Sequence, residues 1–401
     1  MVLVPGGRKL GPDKSDDKSM IILNRCLEWK NGELWYESDP RHAEIIIKEL
    51  GLKGTKPVVT PGVKVKVDEK DDAFLDPAMA TKFRQLIARC NFVAQDRLDI
   101  QYAVKEAARA MASPRACDWC LLKKIGRYLV YRPRLQIRFG WQKKPTCMDG
   151  YTDSDWAGCQ KSRKSTSGSV LMIGHHCIKS SSKQQKVIAL SSAEAETYGM
   201  VNCSAEILGL QACARDLGMK YDANIYADAS AALGIVMRRG VGKVRHIRTQ
   251  SLWLQEAHAT KRLGFEKIDG SRNPADLMTK HLPDTLLNRH LEHMRAYPVE
   301  GRAESAPTLN AMDTVDSEHY FLGTMPEEHP KSILKEGTGK SEIEIKDGPR
   351  EAKTKEEEEA KKARKGRETP GQREQKGKRT LGGKERKTKD KTAAKKEVAG
   401  K

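Results

Sequence analysis

Four acidic residues in the middle of the chain constrain its fold more than any other feature. They are Asp153, Glu196, Asp228 and Asp276, and each lies where the local pattern predicts the beginning or the end of a strand or a helix. In chain order they belong to a strand, a helix, a strand end and a late helix. Hard divalent cations prefer carboxylate oxygens, and one acid does not hold two such ions about 3.5–4 Å apart. The order therefore predicts an α/β fold that gathers the four carboxylates into the two-metal centre of a nuclease.

The segment around these acids is predicted to alternate strands and helices. Its predicted strands are Met148–Asp155, Gly168–Ile173, Cys177–Ser182, Asn224–Ala227 and Leu263–Ile268. Its predicted helices are Ser192–Leu217, Ser230–Arg238, His246–Lys261 and Pro274–Thr279. This order is typical of a mixed sheet with helices on its faces. We expect five strands over about 148–270, with Asp153 and Asp228 on neighbouring parallel strands, because a strand–helix–strand crossover is right-handed and stays within one sheet.

Residues 20–140 have a different pattern. Asn31-Gly32 separates two runs that contain aromatic residues, and this is a strong hairpin signal because both turn residues take a positive φ. Asp39-Pro40 supplies an N-cap and a proline at the first helical position. Three helical patterns follow, at Pro77–Ala94, Asp99–Met111 and Ala116–Val130. We therefore predict a small, mostly helical unit, preceded by a disordered leader over residues 1–19.

The charge of the chain is concentrated at its end. Residues 361–401 carry 17 Lys or Arg against 5 Asp or Glu, a net charge of +12 out of the total of +19. The same stretch has no aromatic residues, so it lacks the apolar surface that offsets chain entropy. We expect residues 295–401 to be a disordered, Lys/Arg/Glu-rich tail. A basic tail attracts polyanions of any sequence, and this favours nucleic acid as a partner, although a purely solubilising tail has the same composition.

The sequence also argues against several classes of protein. It contains no run of about 18 uncharged apolar residues, and no apolar segment follows the charged N-terminus. Its nine scattered cysteines are typical of reduced thiols, and the single Cys117/Cys120 pair, which has no second pair at zinc-site spacing, indicates helix thiols and not a metal site. We expect an intracellular protein, cytoplasmic or nuclear, that is neither secreted nor bound to a membrane.

Four ordered motifs surround the acids. They are Tyr151-Thr152-Asp153-Ser154-Asp155-Trp156-Ala157-Gly158, Ser162-Arg163-Lys164-Ser165-Thr166-Ser167-Gly168, Ala189-Leu190-Ser191-Ser192-Ala193-Glu194-Ala195-Glu196 and Asn273-Pro274-Ala275-Asp276-Leu277-Met278-Thr279-Lys280. Together they resemble the RNase H domain of copia-type LTR retrotransposon Pol polyproteins, here over residues 146–290. Upstream, Lys56-Pro57-Val58-Val59-Thr60-Pro61 and Trp119 to Leu129 resemble the end of the reverse transcriptase palm and its thumb or connection. Residues 20–140 are thus similar to a reverse transcriptase remnant.

The resemblance implies an RNase H-like mixed five-stranded sheet with flanking helices. It also implies hydrolysis of the RNA strand of an RNA–DNA hybrid with two Mg²⁺ ions, for which Mn²⁺ is a substitute. Asp153 would bridge both ions, Glu196 and Asp228 would each complete one coordination sphere, and Asp276 would bind the ion that carries the nucleophile. The implied partners are the hybrid, other nucleic acid and a full-length reverse transcriptase polyprotein.

The sequence departs from the family at three places. The Tyr-x-Asp-Asp motif of the polymerase is absent, so we do not expect this chain to polymerise by itself. An arginine, Arg248, stands two residues after His246, where the family usually has an acid, and Asp228 is followed by Ala-Ser-Ala-Ala in place of Asn-Gln-Ser-Ala. Both of these changes lie beside the acids, where they concern substrate handling more than ion binding.

Two of the four acids have rivals nearby. On a helix Glu194 and Glu196 point about 200° apart, and Glu196 lies on the apolar stripe, so we favour Glu196. On a strand Asp153 and Asp155 share a face, but Asp155 is closer to the predicted strand end. We therefore favour Asp153.

Four further residues are candidates for binding the substrate. Because the 2′-hydroxyl distinguishes RNA from DNA, hydroxyl groups next to the acids are candidates to contact it, and these are Ser154, Ser192 and Ser230. Ser192 and Ser230 have an equally good interpretation as helix N-caps. His246, predicted to begin a helix, is a candidate for a proton shuttle or a phosphate contact.

Two other functions compete with the nuclease. Transposases and integrases of the DDE type share the fold, but their helix glutamate comes last, whereas here it comes second. A nucleic-acid-binding remnant without cleavage is the second alternative, because the polymerase portion is truncated. Cleavage of a hybrid with and without Mg²⁺ separates it from the enzyme.

Overall fold

The computed structural model describes residues 2–3, 8–64, 72–240, 242, 252–303 and 305–309. Residues 1–325 group into one compact unit, and every element below belongs to it. Two short strands, β1 (Val2–Leu3) and β2 (Lys9–Leu10), pair antiparallel at its beginning. None of the helices in the described parts of the chain is long and apolar enough to cross a membrane.

The first five-stranded sheet is antiparallel and joins the two ends of the described chain. Its strands are β3 (Ser19–Ile22), β4 (Arg25–Lys30), β5 (Glu33–Ser38), β6 (Arg134–Phe139) and β12 (Ala296–Val299), in the order β12-β6-β5-β4-β3. The hairpin predicted at Asn31-Gly32 is confirmed, since both residues have positive φ, at 55° and 75°. β12 pairs with β6, and Ala296 lies opposite Ile137.

Four helices pack together beside this sheet. They are α1 (Pro40–Glu49), α2 (Pro77–Val93), α3 (Gln101–Ala108) and α4 (Ala116–Tyr131). The Asp39 carboxylate accepts a hydrogen bond from the Arg41 amide and caps α1, as predicted. Apolar residues at helical spacing, such as Phe83, Ile87 and Leu122, are fully buried in the core between these helices.

The second five-stranded sheet carries the acidic residues. Its strands are β7 (Cys147–Asp155), β8 (Thr166–Ile173), β9 (His176–Gln184), β10 (Asp222–Ala227) and β11 (Gly264–Lys267), in the order β11-β10-β7-β8-β9. β7 is parallel to β10 and antiparallel to β8. Helices α5 (Ser192–Asp216), α6 (Ser230–Met237) and α7 (Trp253–Ala259) follow the predicted order, and 3-10 helices span Gly270–Arg272 and Pro274–Met278. The mixed sheet predicted over about 148–270 is confirmed.

The structure differs from the sequence-based expectation at both ends. Residues 9–10 of the expected disordered leader pair with β1, and Leu10 is fully buried. Beyond Met294, where no fold was expected, β12 forms and Ala303 and Ala306 pack on Cys26. A helix that was not predicted, α8 (Asp284–His293), precedes β12. Each of these segments is short, and β12 and the residues beyond it pack on partners that are far away in sequence.

Two further expectations are met in part by the described residues. Residues 20–140 contain the predicted helices and, in addition, most of strands β3 to β6. The helix predicted at His246–Lys261 is described only over Trp253–Ala259, and residues 243–251 lie outside the described residues. The tail that begins beyond residue 309 also lies outside them.

Candidate metal centre

Three carboxylates converge at one end of the second sheet. Asp153, Asp228 and Asp276 each offer an oxygen, and these oxygens all lie within 4.8 Å of one another. Asp153 is only 2% exposed, and the other two are half-buried. We call these three residues the carboxylate cluster. All three were predicted from the sequence, and the structure brings them together.

The strand pairing explains why Asp153 and Asp228 meet. β7 and β10 are parallel neighbours, and Tyr151 lies opposite Tyr226. Asp153 and Asp228 each follow two residues after this pair, so they lie at the same level along the two strands. The carboxyl ends of neighbouring parallel strands form one edge of a sheet, where α/β proteins place their sites.

A buried asparagine holds Asp276 against the central strand. Asn273 is fully buried, and its side-chain amide donates to the Thr152 carbonyl over 2.9 Å. Its side-chain oxygen accepts from the Ala275 amide over 3.1 Å and so caps the 3-10 helix that carries Asp276. A Cβ at Gly168 of β8 would lie 2.7 Å from the Ala275 carbonyl oxygen, so this close approach requires glycine.

Helix α5 places Glu196 beside the cluster. A Cβ at Gly199 would lie 2.7 Å from the Ser154 hydroxyl, so glycine lets the helix approach β7 closely. One Glu196 oxygen, Oε1, accepts from the Ser154 amide over 3.3 Å. The other, Oε2, is buried and has no hydrogen-bond partner among the described residues. Glu196 was predicted as a ligand, but it is not one of the three residues whose oxygens lie mutually within 4.8 Å.

Burial and mutual repulsion shift the pKa values of these acids. Burial, followed by the charges of Asp153 and Asp228, raises the pKa of Glu196 to about 9. Burial and the charge of Asp153 raise the pKa of Asp276 to about 6, and the same two causes raise the pKa of Asp228. Acids whose charged form is disfavoured in this way gain most when a cation neutralises them.

A lysine and a threonine that the sequence analysis did not assign to the site also contact the cluster. The Lys280 ammonium lies 3.3 Å from Asp153 Oδ2 and 2.9 Å from Asp276 Oδ1. The buried Thr279 hydroxyl donates to the same Asp153 Oδ2. The spacing of four residues between Asp276 and Lys280, which favours an ion pair on a helix, was the available signal.

This set of side chains fits hard divalent cations. It supplies only carboxylate oxygens, which are the ligands that Mg²⁺ and Mn²⁺ prefer. The unpartnered Glu196 Oε2 is the most specific observation, because a buried acceptor without a donor is unfavourable unless something binds it. Asp153, Glu196, Asp228 and Asp276 would hold such ions.

The two rival acids have other environments. Glu194 is also buried, but its oxygens accept from the Leu190 amide over 2.7 Å and from the Tyr198 hydroxyl over 3.1 Å. It therefore stabilises the beginning of α5. Asp155 is half-buried at the end of β7, outside the carboxylate cluster, and its pKa is raised by burial.

The four predicted substrate contacts are placed differently. The buried Ser154 hydroxyl donates to the Ala195 carbonyl over 3.0 Å and fixes α5 to β7, so it is already engaged. Ser192 and Ser230 are exposed at the first residues of α5 and α6. Neither serine is the helix N-cap that the sequence suggested, because Ser191 and Ala229 are the N-cap residues of α5 and α6. His246 lies outside the described residues.

Comparisons with known proteins add an independent observation. No family model matches the chain. It is 28% identical over 288 residues to the retrovirus-related Pol polyprotein from transposon TNT 1-94 of Nicotiana tabacum, covering 69% of this chain and 21% of that polyprotein. It is also 28% identical over 250 residues to the Pol polyprotein from transposon RE2 of Arabidopsis thaliana, covering 61% of this chain and 17% of that polyprotein. The chain thus spans about a fifth of the curated Pol relatives it matches.

Shorter proteins and solved structures are also similar. The chain is 30% identical over 171 residues to the uncharacterized mitochondrial protein AtMg00810 of Arabidopsis thaliana, covering 42% of this chain and 70% of that protein. The crystal structure of LC11-RNase H1 in complex with an RNA/DNA hybrid matches 33% of this chain and 93% of that chain, with 17% identity and a TM-score of 0.25. The homologues of the chain thus include retrovirus-related Pol polyproteins of plant transposons, which confirms the predicted resemblance to copia-type Pol polyproteins.

Proposed function

We propose that the chain is a Mg²⁺-dependent endoribonuclease that cleaves the RNA strand of RNA–DNA hybrids as part of a retrotransposon Pol protein. The observation that carries this proposal is the convergence of Asp153, Asp228 and Asp276 within 4.8 Å. Glu196, with one buried oxygen that has no hydrogen-bond partner among the described residues, supports the same conclusion. The family of the chain supports the substrate class.

Each acid has a distinct part in the proposed site. Two Mg²⁺ ions, or Mn²⁺ in their place, would supply an activated water and neutralise charge on the leaving 3′ oxygen. Asp153 would contact both ions because it lies on the central strand and its charge acts on each of the other three acids. Glu196 and Asp228 would each bind one of them, and Asp276 would bind the ion next to the nucleophile.

Recognition of the hybrid would fall to residues around the cluster. Ser192 and Ser230 are exposed at the beginning of two helices, where their hydroxyls are free to contact a 2′-hydroxyl. The exposed Arg163 and Lys186 on neighbouring connections would contact phosphates. His246 stays a candidate for a phosphate or proton contact.

The remaining partners follow from the length of the chain. It spans about a fifth of the tobacco polyprotein and lacks the Tyr-x-Asp-Asp motif, so polymerisation would require a full-length reverse transcriptase polyprotein. We propose that the protein acts inside the cell. All nine of its cysteines are free thiols in the structure, which supports a reducing compartment.

The test is cleavage of a labelled RNA–DNA hybrid by the purified protein. We expect cleavage of the RNA strand with Mg²⁺ and none with EDTA. Single-stranded RNA and duplex DNA of the same sequence serve as controls for the substrate class. Hybrid binding without cleavage at any Mg²⁺ or Mn²⁺ concentration would contradict the enzyme and support the non-catalytic binding remnant.

A further inference from the structure

Lys280 holds its positive charge inside the carboxylate cluster. Its ammonium lies within salt-bridge distance of both Asp153 and Asp276. Among the described residues, no other cation lies within 4 Å of either carboxylate. Burial lowers the pKa of Lys280, but the charges of Asp153 and Asp276 outweigh it and raise the pKa above its usual value. The amine is therefore a firmly charged cation.

The Lys280 ammonium occupies a carboxylate oxygen that a bound cation would also use. Asp153 Oδ2 already receives Lys280 and the Thr279 hydroxyl. An ion bound through Oδ2 would therefore compete with the Lys280 ammonium for the same lone pairs. Two cations at this one oxygen would also repel each other.

The partial exposure of the Lys280 side chain allows its ammonium to leave the cluster. Its side chain is 42% exposed, whereas that of Asp153 is only 3% exposed. A lysine has a flexible four-carbon stem and a strongly hydrated ammonium, so it is able to move into water once another cation neutralises the carboxylates. Asp153 has no comparable freedom, because it lies on the central strand.

We propose that Lys280 is the internal counterion of the metal-free site and that a divalent cation displaces it on binding. Because this displacement costs free energy, Lys280 lowers the affinity of the site for the cation. This inference rests on the ion-binding part of the proposed function. It adds that the site has two states, one neutralised by lysine and one by metal. Because both cations bind the same carboxylates, stabilising one state opposes the other by the same free energy.

Calorimetric titration of the metal-free protein with Mg²⁺ tests the competition. Lys280→Met keeps most of the side-chain length and removes the charge, so we expect Mg²⁺ to bind about tenfold more tightly. Lys280→Arg keeps the charge and should stay close to the parent. The matched control is Lys220→Met, since Lys220 is exposed and has no ion pair among the described residues. Equal affinity of the Lys280→Met variant and the parent would overturn the proposal.

Thermal melting gives a second measurement on the same variants. Without divalent cations, Lys280→Met should melt at a lower temperature than the parent, because Asp153 and Asp276 lose their counterion. Addition of Mg²⁺ should then raise its melting temperature by more than it raises that of the parent. An equal rise in both proteins would contradict the displacement of Lys280.

A measurement on the parent protein covers the case in which Lys280→Met fails to fold. The ¹³Cε resonance of Lys280, assigned by its loss in the folded Lys280→Arg variant, should shift when Mg²⁺ is added. NaCl at the same ionic strength should leave it unchanged. An Mg²⁺-saturated protein with an unshifted Lys280 resonance overturns the proposal.

These readouts separate the two proposals. If the protein cleaves hybrids but its Mg²⁺ affinity does not depend on Lys280, the proposed function is supported and the counterion proposal is contradicted. If the Lys280→Met variant binds Mg²⁺ more tightly but the parent protein never cleaves a hybrid, the counterion proposal is supported and the nuclease proposal is contradicted.

Discussion

At the scale of single residues, charge at one position is expected to decide activity. Asp153→Asn preserves shape and removes the most buried carboxylate of the cluster, so hybrid cleavage should fall by at least about a hundredfold. Asp155→Asn removes a carboxylate just outside the cluster and should have a far smaller effect. Initial cleavage rates at saturating Mg²⁺ measure both. Equal rates for parent and Asp153→Asn would exclude the metal centre.

Glu194→Gln is a second matched control, on the helix that carries Glu196. Glu194 accepts from the Leu190 amide and the Tyr198 hydroxyl, so a glutamine there keeps an acceptor and loses one contact. We expect a loss of stability of about 1 kcal/mol with cleavage nearly unchanged. A loss of cleavage as large as that of Asp153→Asn would show that Glu194, and not Glu196, contributes to the metal centre.

Glu196 should make the metal-free protein less stable at high pH. Its pKa is about 9 when folded, against 4.5 for an ordinary glutamate, so between these values the folded state holds a proton that the unfolded state releases. Stability is therefore highest below the ordinary value and falls as the pH rises through the folded value. Half-buried His281 and buried His290, with folded pKa values of about 4, act in the opposite direction below pH 6.5.

The measurement is thermal melting in EDTA between pH 6.5 and 9, above the range of these two histidines. The melting temperature of the parent should fall across this interval, and Glu196→Gln should flatten the slope because glutamine does not titrate. A slope that is the same in both proteins would contradict the raised pKa of Glu196.

The four acids could be proposed from sequence because each has a local signal, and the structure gathers three of them, whereas the residues that hold them could not be proposed. Asn273 appears only as a helix-start signal, but in the structure it also binds the Thr152 carbonyl of β7. Lys280 has the right spacing to pair with Asp276, but nothing local shows that it also reaches Asp153. Contacts between residues more than 100 positions apart have no signature in periodicity.

At the scale of elements, glycines decide how closely the 3-10 helix of Asp276 approaches the sheet. In Gly168→Ala the new Cβ would lie 2.7 Å from the Ala275 carbonyl oxygen and from Met278 Cβ, so backbone must move. We expect a loss of about 1–3 kcal/mol in unfolding free energy and weaker Mg²⁺ binding, since Asp276 moves with the helix. Urea unfolding and Mg²⁺ titration measure the two effects.

Gly209→Ala is the matched control, because no heavy atom lies within 4 Å of a Cβ at that position of α5. Alanine in a helix interior is favoured over glycine by roughly 0.5–1 kcal/mol, so this variant should be slightly more stable than the parent. A Gly168→Ala variant as stable as Gly209→Ala would show that the helix does not depend on this close approach.

The same scale shows which elements a sequence reveals. Strands β7, β8 and β10 could be predicted because they are bounded by turns and carry motifs. Strands β6 and β12 could not, because β12 has four residues, includes a proline and depends on pairing with β6, some 160 residues earlier. Strands whose neighbours are this far away in sequence are specified by their partners more than by their own residues.

At the scale of the whole molecule, the two parts of the chain share a core. Leu135 and Ile137 of the first sheet pack in one cluster with Val170 of the second sheet and Leu287 of α8. The Lys105 ammonium of α3 also donates to the Thr166 hydroxyl of β8 over 2.7 Å. Residues of the first sheet and of α3 therefore stabilise the sheet that carries the carboxylate cluster, which no single motif in the sequence indicated.

The tail is expected to supply affinity for nucleic acid and no stability. Deleting residues 361–401 removes a net charge of +12. Because cations that neutralise phosphates release condensed counterions, the deletion should weaken binding to any nucleic acid and flatten its dependence on salt. The melting temperature should stay nearly unchanged, since the deleted residues lack the apolar side chains that build a core.

The control deletion removes residues 310–350, which have the same length but carry 9 Asp or Glu against 5 Lys or Arg. Fluorescence anisotropy with a labelled hybrid at several salt concentrations compares the three proteins. Because the control removes acids in excess, it should bind at least as tightly as the parent and keep its salt slope. If both deletions bind like the parent, the basic tail has no part in binding, and the exposed cations around the carboxylate cluster supply the electrostatic attraction.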